Sequence, residues 1–164
     1  MSRRVHAVFT RSTASSFTVK DVNTDIQNTS TTIVLVDPTS PDGETSLDAL
    51  TDADTNVALV VLLTGRASNA LRDFAHSEGT HLSTAAWTYL DRLTPRLHRS
   101  RRQLEHVVAN GPDTAHELAT VAAHRPAGRI VLPASTLRLE PAAVARLEQL
   151  TPTPVEVAEL ANSR

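Results

Sequence analysis

Seven residues from Val57 to Leu63 carry no charge and no polar side chain, the longest apolar run in the chain. Such a run, stopped by Thr64-Gly65, predicts a strand buried on both faces, as in the middle of a parallel sheet. Ile33 to Val36, closed by Asp37-Pro38, reads the same way, and so does Ile130 to Leu132 after Gly128-Arg129. Val107-Val108-Ala109 is a fourth such run, broken by Asn110-Gly111. Between these runs the spacing becomes helical. Ala115, Leu118, Ala119 and Ala122 fall at i, i+3, i+4 and i+7, with Asp113, His116, Glu117 and Thr120 on other faces and Pro112 placed to open the helix. Leu71, Phe74 and Ala75 mark an earlier helix, capped by Ser68 and stopped by Gly79. Leu82, Ala85, Ala86, Tyr89, Leu90, Leu93 and Leu97 mark the clearest amphipathic one. Trp87 lies off that stripe and is expected to be partly buried, and Pro95 predicts a kink or break near Thr94.

The remaining segments complete an alternation of strands and helices. Pro38 to Gly43 is a turn-rich loop, and Glu44 opens a short helix through Leu47 and Leu50. Ala134-Ser135-Thr136 reads as a loop, Glu140-Pro141 starts a last helix with Val144, Leu147 and Leu150 inward, and Pro154 to Leu160 alternates apolar and polar like an edge strand. The assembled order predicts an α/β fold, a doubly wound five-stranded parallel sheet in three layers. Residues 1–30 stand apart as a Ser/Thr-rich arm before a domain spanning 31–164. From Thr10 to Thr32, 11 of 23 residues are Ser or Thr, a composition expected of a mobile, solvated segment. The alternation of Val5, Ala7 and Phe9, echoed by Phe17 and Val19, points instead to a small hairpin or an added edge strand.

Composition narrows the chemistry. Hydrophobic residues make up 40% of the 164 but aromatics only 3%, so the core is built from Ala, Val, Leu and Ile, and an aromatic-lined pocket is disfavoured. The absence of cysteine removes disulfides, thiolate metal sites and cysteine nucleophiles. No apolar run approaches the ~20 residues of a membrane helix, and Met1 to Thr10 lacks a secretory core, so a soluble cytoplasmic protein without a membrane partner is expected. A net charge of -2 argues against nucleic acid as a partner. The one basic cluster, Arg92, Arg96, His98, Arg99, Arg101 and Arg102, reads as a solvated helix end. The seven histidines show no metal-ligand spacing, and no nucleophile elbow, Walker loop or dinucleotide fingerprint is present. No metal and no catalytic residue are assigned.

Three stretches carry a family resemblance. They are Ile33-Val34-Leu35-Val36-Asp37 with Ser40-Pro41; Val108-Ala109-Asn110-Gly111-Pro112, an Ala-rich helix and Gly128-Arg129-Ile130-Val131-Leu132; and Thr153-Pro154-Val155-Glu156-Val157. In this order and spacing, from about Thr31 to Leu160, the chain resembles the universal stress protein family. The resemblance implies a crevice between Ile33–Asp37 and Ile130–Pro133, lined by Asp37, Thr39, Ser40, Ser135 and Thr136, with Asp37 matching an adenine-nucleotide contact. It also implies a homodimer through the closing strand, with Val155, Val157 and Leu160 at the interface. ATP-binding members follow the fourth strand with a glycine-rich loop, whereas Pro133 to Leu150 contains no glycine. Backbone N–H groups cannot then approach phosphate oxygens as closely, and Arg138 is left as a single charged contact.

Each site residue has a bland reading beside the functional one. Asp37 opens the Pro38 turn as readily as it meets a ligand, and Ser135 and Thr136 suit helix or turn bonds. The sequence therefore predicts a non-enzymatic binding or regulatory module, dimeric, with weak or no ATP binding and no resident cofactor. The alternatives are an ATP- or AMP-binding protein, or weak hydrolase, with an atypical phosphate loop, and an accessory protein that docks on a protein partner through its arm and Arg cluster.

Overall fold

The computed structural model describes residues 9–12, 30–63, 65–97, 103–111 and 113–159. Five parallel strands form the body of its sheet: β2 (Thr31–Leu35), β3 (Asn56–Leu62), β4 (Gln103–Ala109), β5 (Ala127–Leu132) and β6 (Val155–Val157). A sixth, β1 (Phe9–Ser12), pairs antiparallel with β4, so the order is β1-β4-β3-β2-β5-β6. The five-stranded parallel sheet is as expected from the apolar runs, and the arm supplies the added edge strand. Val5, Ala7, Phe17 and Val19 lie outside the described residues, as do His98 to Arg102 of the basic cluster, Leu160 and most of the Ser/Thr-rich arm.

Alternation along the central strands decides which layer each residue supports. Ile33, Leu35, Ala58, Val60, Leu62, Ile130 and Leu132 face one side, covered by Leu118 and Val121 of α4 (Thr114–Ala123) and Leu147 of α6 (Pro141–Leu150). Val34, Val36, Val57, Leu59 and Val61 face the other, under Leu47 of α1 (Thr45–Asp48), Leu71 of α2 (Gly65–Ser77) and Leu90, Leu93 and Leu97 of α3 (Leu82–Leu97). Helices therefore cover both faces, and the continuous apolar runs are explained by burial on both sides. Trp87 is half-buried against the α3 side, as expected.

Several boundaries differ from the sequence reading, each for a local reason. Helix α2 starts at Gly65, three residues before Ser68, which is therefore no cap; it ends at Ser77, before Gly79 at φ +63°. Helix α3 runs through Pro95 to Leu97 instead of breaking at Thr94, because Leu93 and Leu97 are both buried and hold the last turn on the sheet. Strand β4 begins at Gln103, well before its apolar run, because its polar residues find partners. The Arg125 guanidinium donates to both oxygens of Glu105, at 2.9 and 2.6 Å, and Nε2 of His106 lies 3.0 Å from Oγ1 of Thr94. Helix α4 starts at Thr114, two residues beyond Pro112, with the Asp113 carboxylate accepting from the N–H of Ala115 at 3.0 Å. Glu117, expected off the apolar stripe, is buried, with Oε1 lacking a hydrogen-bond partner among the described residues. The presumed loop at 134–136 is the start of helix α5 (Ala134–Leu139), since the segment lacks glycine and follows an extended Pro133. Leu150 is exposed rather than inward, Val144 is half-buried, and β6 covers three residues instead of the whole stretch to Leu160.

Candidate functional site

From β2 the chain adds β3 and β4 on one side and then returns to place β5 on the other, so the strand order reverses between β2 and β5. At such a point the connections diverge and leave a crevice beyond the carboxyl ends of the strands. The crevice is present and half open to solvent. Leu35, Val36, Leu62 and Ala67 supply its apolar lining, and Asp37, Thr114, Thr136 and Glu140 its polar one.

Asp37 follows β2 directly, and its carboxylate is partly committed to the turn. Oδ1 accepts from the backbone N–H of Thr39 at 2.9 Å and from its hydroxyl at 2.5 Å. The turn folds back on itself closely. The N–H of Asp37 donates to the Gly43 carbonyl at 2.9 Å, and a Cβ at position 43 would lie 1.8 Å from the Asp37 carbonyl oxygen.

The β2–α1 loop is also tied to α5. Arg138 donates from Nη2 to Asp42 Oδ1 at 2.8 Å and to the Ser40 hydroxyl at 2.9 Å, while Ser40 itself donates to Asp42. The Ser40 hydroxyl, followed by Arg138, holds the Asp42 carboxyl below the usual carboxylate range. Thr45 Oγ1 accepts from the N–H of Ala134, the first amide of α5, at 2.9 Å. On the opposite rim Thr114 donates to Glu140 Oε2 at 2.9 Å, and Arg146 pairs with Asp113 at 2.6 Å.

Of the residues expected to line a crevice, Asp37 and Thr136 do so. Thr39 and Ser40 belong to the turn above it, where both are engaged with carboxylates. Ser135 is fully buried rather than lining, and its Oγ has no hydrogen-bond partner. Arg138 sits at the mouth, paired with Asp42. Val155 and Val157 are half-buried on the outermost parallel strand. Sequence reasoning missed Thr114 and Glu140. Their signal was positional: Thr114 opens α4 directly after β4, and Glu140 stands at the junction of α5 and α6 on the segment that leaves β5, both beyond the carboxyl ends of the strands.

No protein-family model matches the chain, and no curated protein is similar to it. Solved structures do share its shape. The hypothetical protein PH0823 superposes with a TM-score of 0.60 at 17% identity, covering 83% of this chain and 99% of its own. The hypothetical protein MJ0577 gives 0.58 at 14%, over 80% and 97%. A member of the universal stress protein family from Burkholderia pseudomallei gives 0.51 at 21%, over 78% and 94%. At these identities the likeness is one of architecture: the chain has a universal-stress-protein-like α/β fold.

Proposed function

We propose that this chain is a non-enzymatic binding or regulatory module of universal-stress-protein type, homodimeric through β6, that holds ATP or AMP weakly at most. The observation that carries the reading is the state of the segment after β5. A triphosphate needs several free backbone N–H groups and an unpaired cation. Here the segment is helix α5, its first N–H is bonded to Thr45, and Arg138 is paired with Asp42. Asp37 and Glu140 line the crevice and would repel phosphate. We take its place of work to be the cytoplasm, on its cysteine-free composition. Calorimetric titration with MgATP tests the reading. Affinity no tighter than about millimolar, roughly 4 kcal/mol, is expected; micromolar binding would sink it.

The second reading is a nucleotide binder with an atypical phosphate loop, favoured by the crevice at the switch point and by Asp37 within it. The same titration decides in its favour if ATP or AMP binds at micromolar concentration.

A further inference from the structure

Charge in the crevice is one-sided. Asp37 and Glu140 both line it, and neither forms an ion pair among the described residues. The arginines nearest to Glu140 in the chain do not compensate it: Arg138 is spent on Asp42, and Arg146 on Asp113. Each crevice carboxylate has one oxygen engaged, Asp37 Oδ1 by Thr39 and Glu140 Oε2 by Thr114, which leaves the other oxygen without a donor among the described residues. Independently of the acids, Thr136 lines the same crevice while only 6% exposed, and its hydroxyl has no hydrogen-bond partner among the described residues. The hydroxyl is not sealed in but opens onto the crevice, where a ligand's polar group can meet it.

We propose that the crevice takes a small organic cation, an alkylammonium group carried on a short apolar body. This deepens the reading that no triphosphate is held there and rests on it. An ammonium has three N–H donors and no acceptor, and the crevice offers three acceptors that lack donors: Oδ2 of Asp37, Oε1 of Glu140 and Oγ1 of Thr136. Leu35, Val36 and Leu62 form a lining that accepts methylene groups and that a strongly hydrated metal ion would not use. The apolar wall also lowers the local dielectric, so charge attraction at the two carboxylates is stronger than on open surface.

The test is an amide-shift titration of the isotope-labelled full chain with n-butylammonium chloride at constant ionic strength. Neutral n-butanol, sodium butyrate and calcium chloride serve as parallel arms. Saturable shifts at Asp37, Thr136 and Glu140 with butylammonium, roughly tenfold weaker with butanol and absent with butyrate, are expected. Asp37→Asn and Glu140→Gln should each weaken binding roughly tenfold while keeping a cooperative melt. Asp37→Asn retains an oxygen for the Thr39 turn bonds, so its fold is preserved. Equal binding of butanol, tighter binding of calcium, or no saturable shift with butylammonium would overturn the proposal. A MgATP titration of the same sample separates the two levels: micromolar ATP affinity overturns the functional reading, whereas absent amine binding with absent ATP binding overturns the cation inference alone.

Discussion

Arg129 grips Asp54 in a two-pronged pair, Nη2 to Oδ2 at 2.7 Å and Nε to Oδ1 at 3.3 Å, at the amino end of the sheet. The same guanidinium donates to the Ala49 carbonyl at 3.1 Å and pairs with Glu156 on β6. Asp54 also accepts from the Thr32 hydroxyl at 2.6 Å and the Thr51 N–H at 2.8 Å. One ion pair thus links the entry to β3 with β2, β5 and the last strand, on the side of the sheet opposite the crevice.

Acid should therefore loosen this end first. Burial alone would raise the Asp54 carboxyl, but hydrogen bonds from Arg129, Thr32 and Thr51 outweigh it and hold the group at about 2 instead of 3.8. A depressed folded value means stabilisation that is complete above the unfolded value and lost as pH falls from about 4 through about 2. Urea melts across that window should show the wild type losing about 2 kcal/mol more than Asp54→Asn. Parallel stability curves for the two proteins would refute this role.

Gly43 should tolerate no side chain. The three atoms nearest to a Cβ there are all backbone: the Asp37 carbonyl oxygen at 1.8 Å, its carbon at 2.8 Å and the Ser40 carbonyl oxygen at 2.9 Å. None can swing aside, so Gly43→Ala must move the turn that carries Asp37. A destabilisation of about 1–3 kcal/mol is expected, read as a drop in Tm with amide shifts at Asp37 and Ser40. An unchanged melt would show that the turn is more yielding than its packing implies.

Self-association through β6 predicts a separation between folding and assembly. Ala158 N–H donates inward to the Leu132 carbonyl, and amides alternate along a strand, so the N–H groups of Val155 and Val157 point to the open edge. Val157→Pro removes one outward donor and none that β5 uses. Light scattering should find the variant monomeric with a melt near that of the wild type. A wild type that is already monomeric at high concentration rules the interface out.

Removal of residues 1–29 is expected to leave a folded domain. β1 pairs with β4 over four residues, whereas β4 is held on its other side by β3 along seven. A chain starting at Ser30 should melt cooperatively within a few degrees of the full chain. Loss of cooperative melting would make the arm part of the core.

The sheet could be read from the sequence because burial on both faces leaves short, β-branched apolar runs at Ile33, Val57, Val107 and Ile130, most of them closed by turn residues. Strand order followed from the resemblance rather than from the runs themselves. What escaped was decided by partners distant in the chain. Glu105 and His106 enter a strand because Arg125 and Thr94 meet them, and residues 134–139 coil into a helix whose first amide is met by Thr45. The candidate site was half legible for the same reason. Asp37 follows a strand end and Thr136 was reached through the resemblance, but Thr114 and Glu140 come to the crevice from the starts of helices, which only the placement of α4 and α6 beyond the strand ends reveals.

The antiparallel strand β1 has a consequence for how large an assembly can grow. A parallel sheet with two bare edges can be extended head to tail, β6 of one copy adding to β4 of the next, and repetition of that contact gives an open filament. With β1 laid along β4, four of the seven residues of that edge, Glu105 to Val108, are already paired, and among the described residues it is the four-residue β1 that lies outermost there. Growth is thereby biased toward β6 meeting β6 about a two-fold axis, a contact that uses up both surfaces and stops at two copies. If assembly runs through β6 as proposed, chains lacking the arm should form fibres more readily than the full chain, which light scattering and electron microscopy can check alongside the melt.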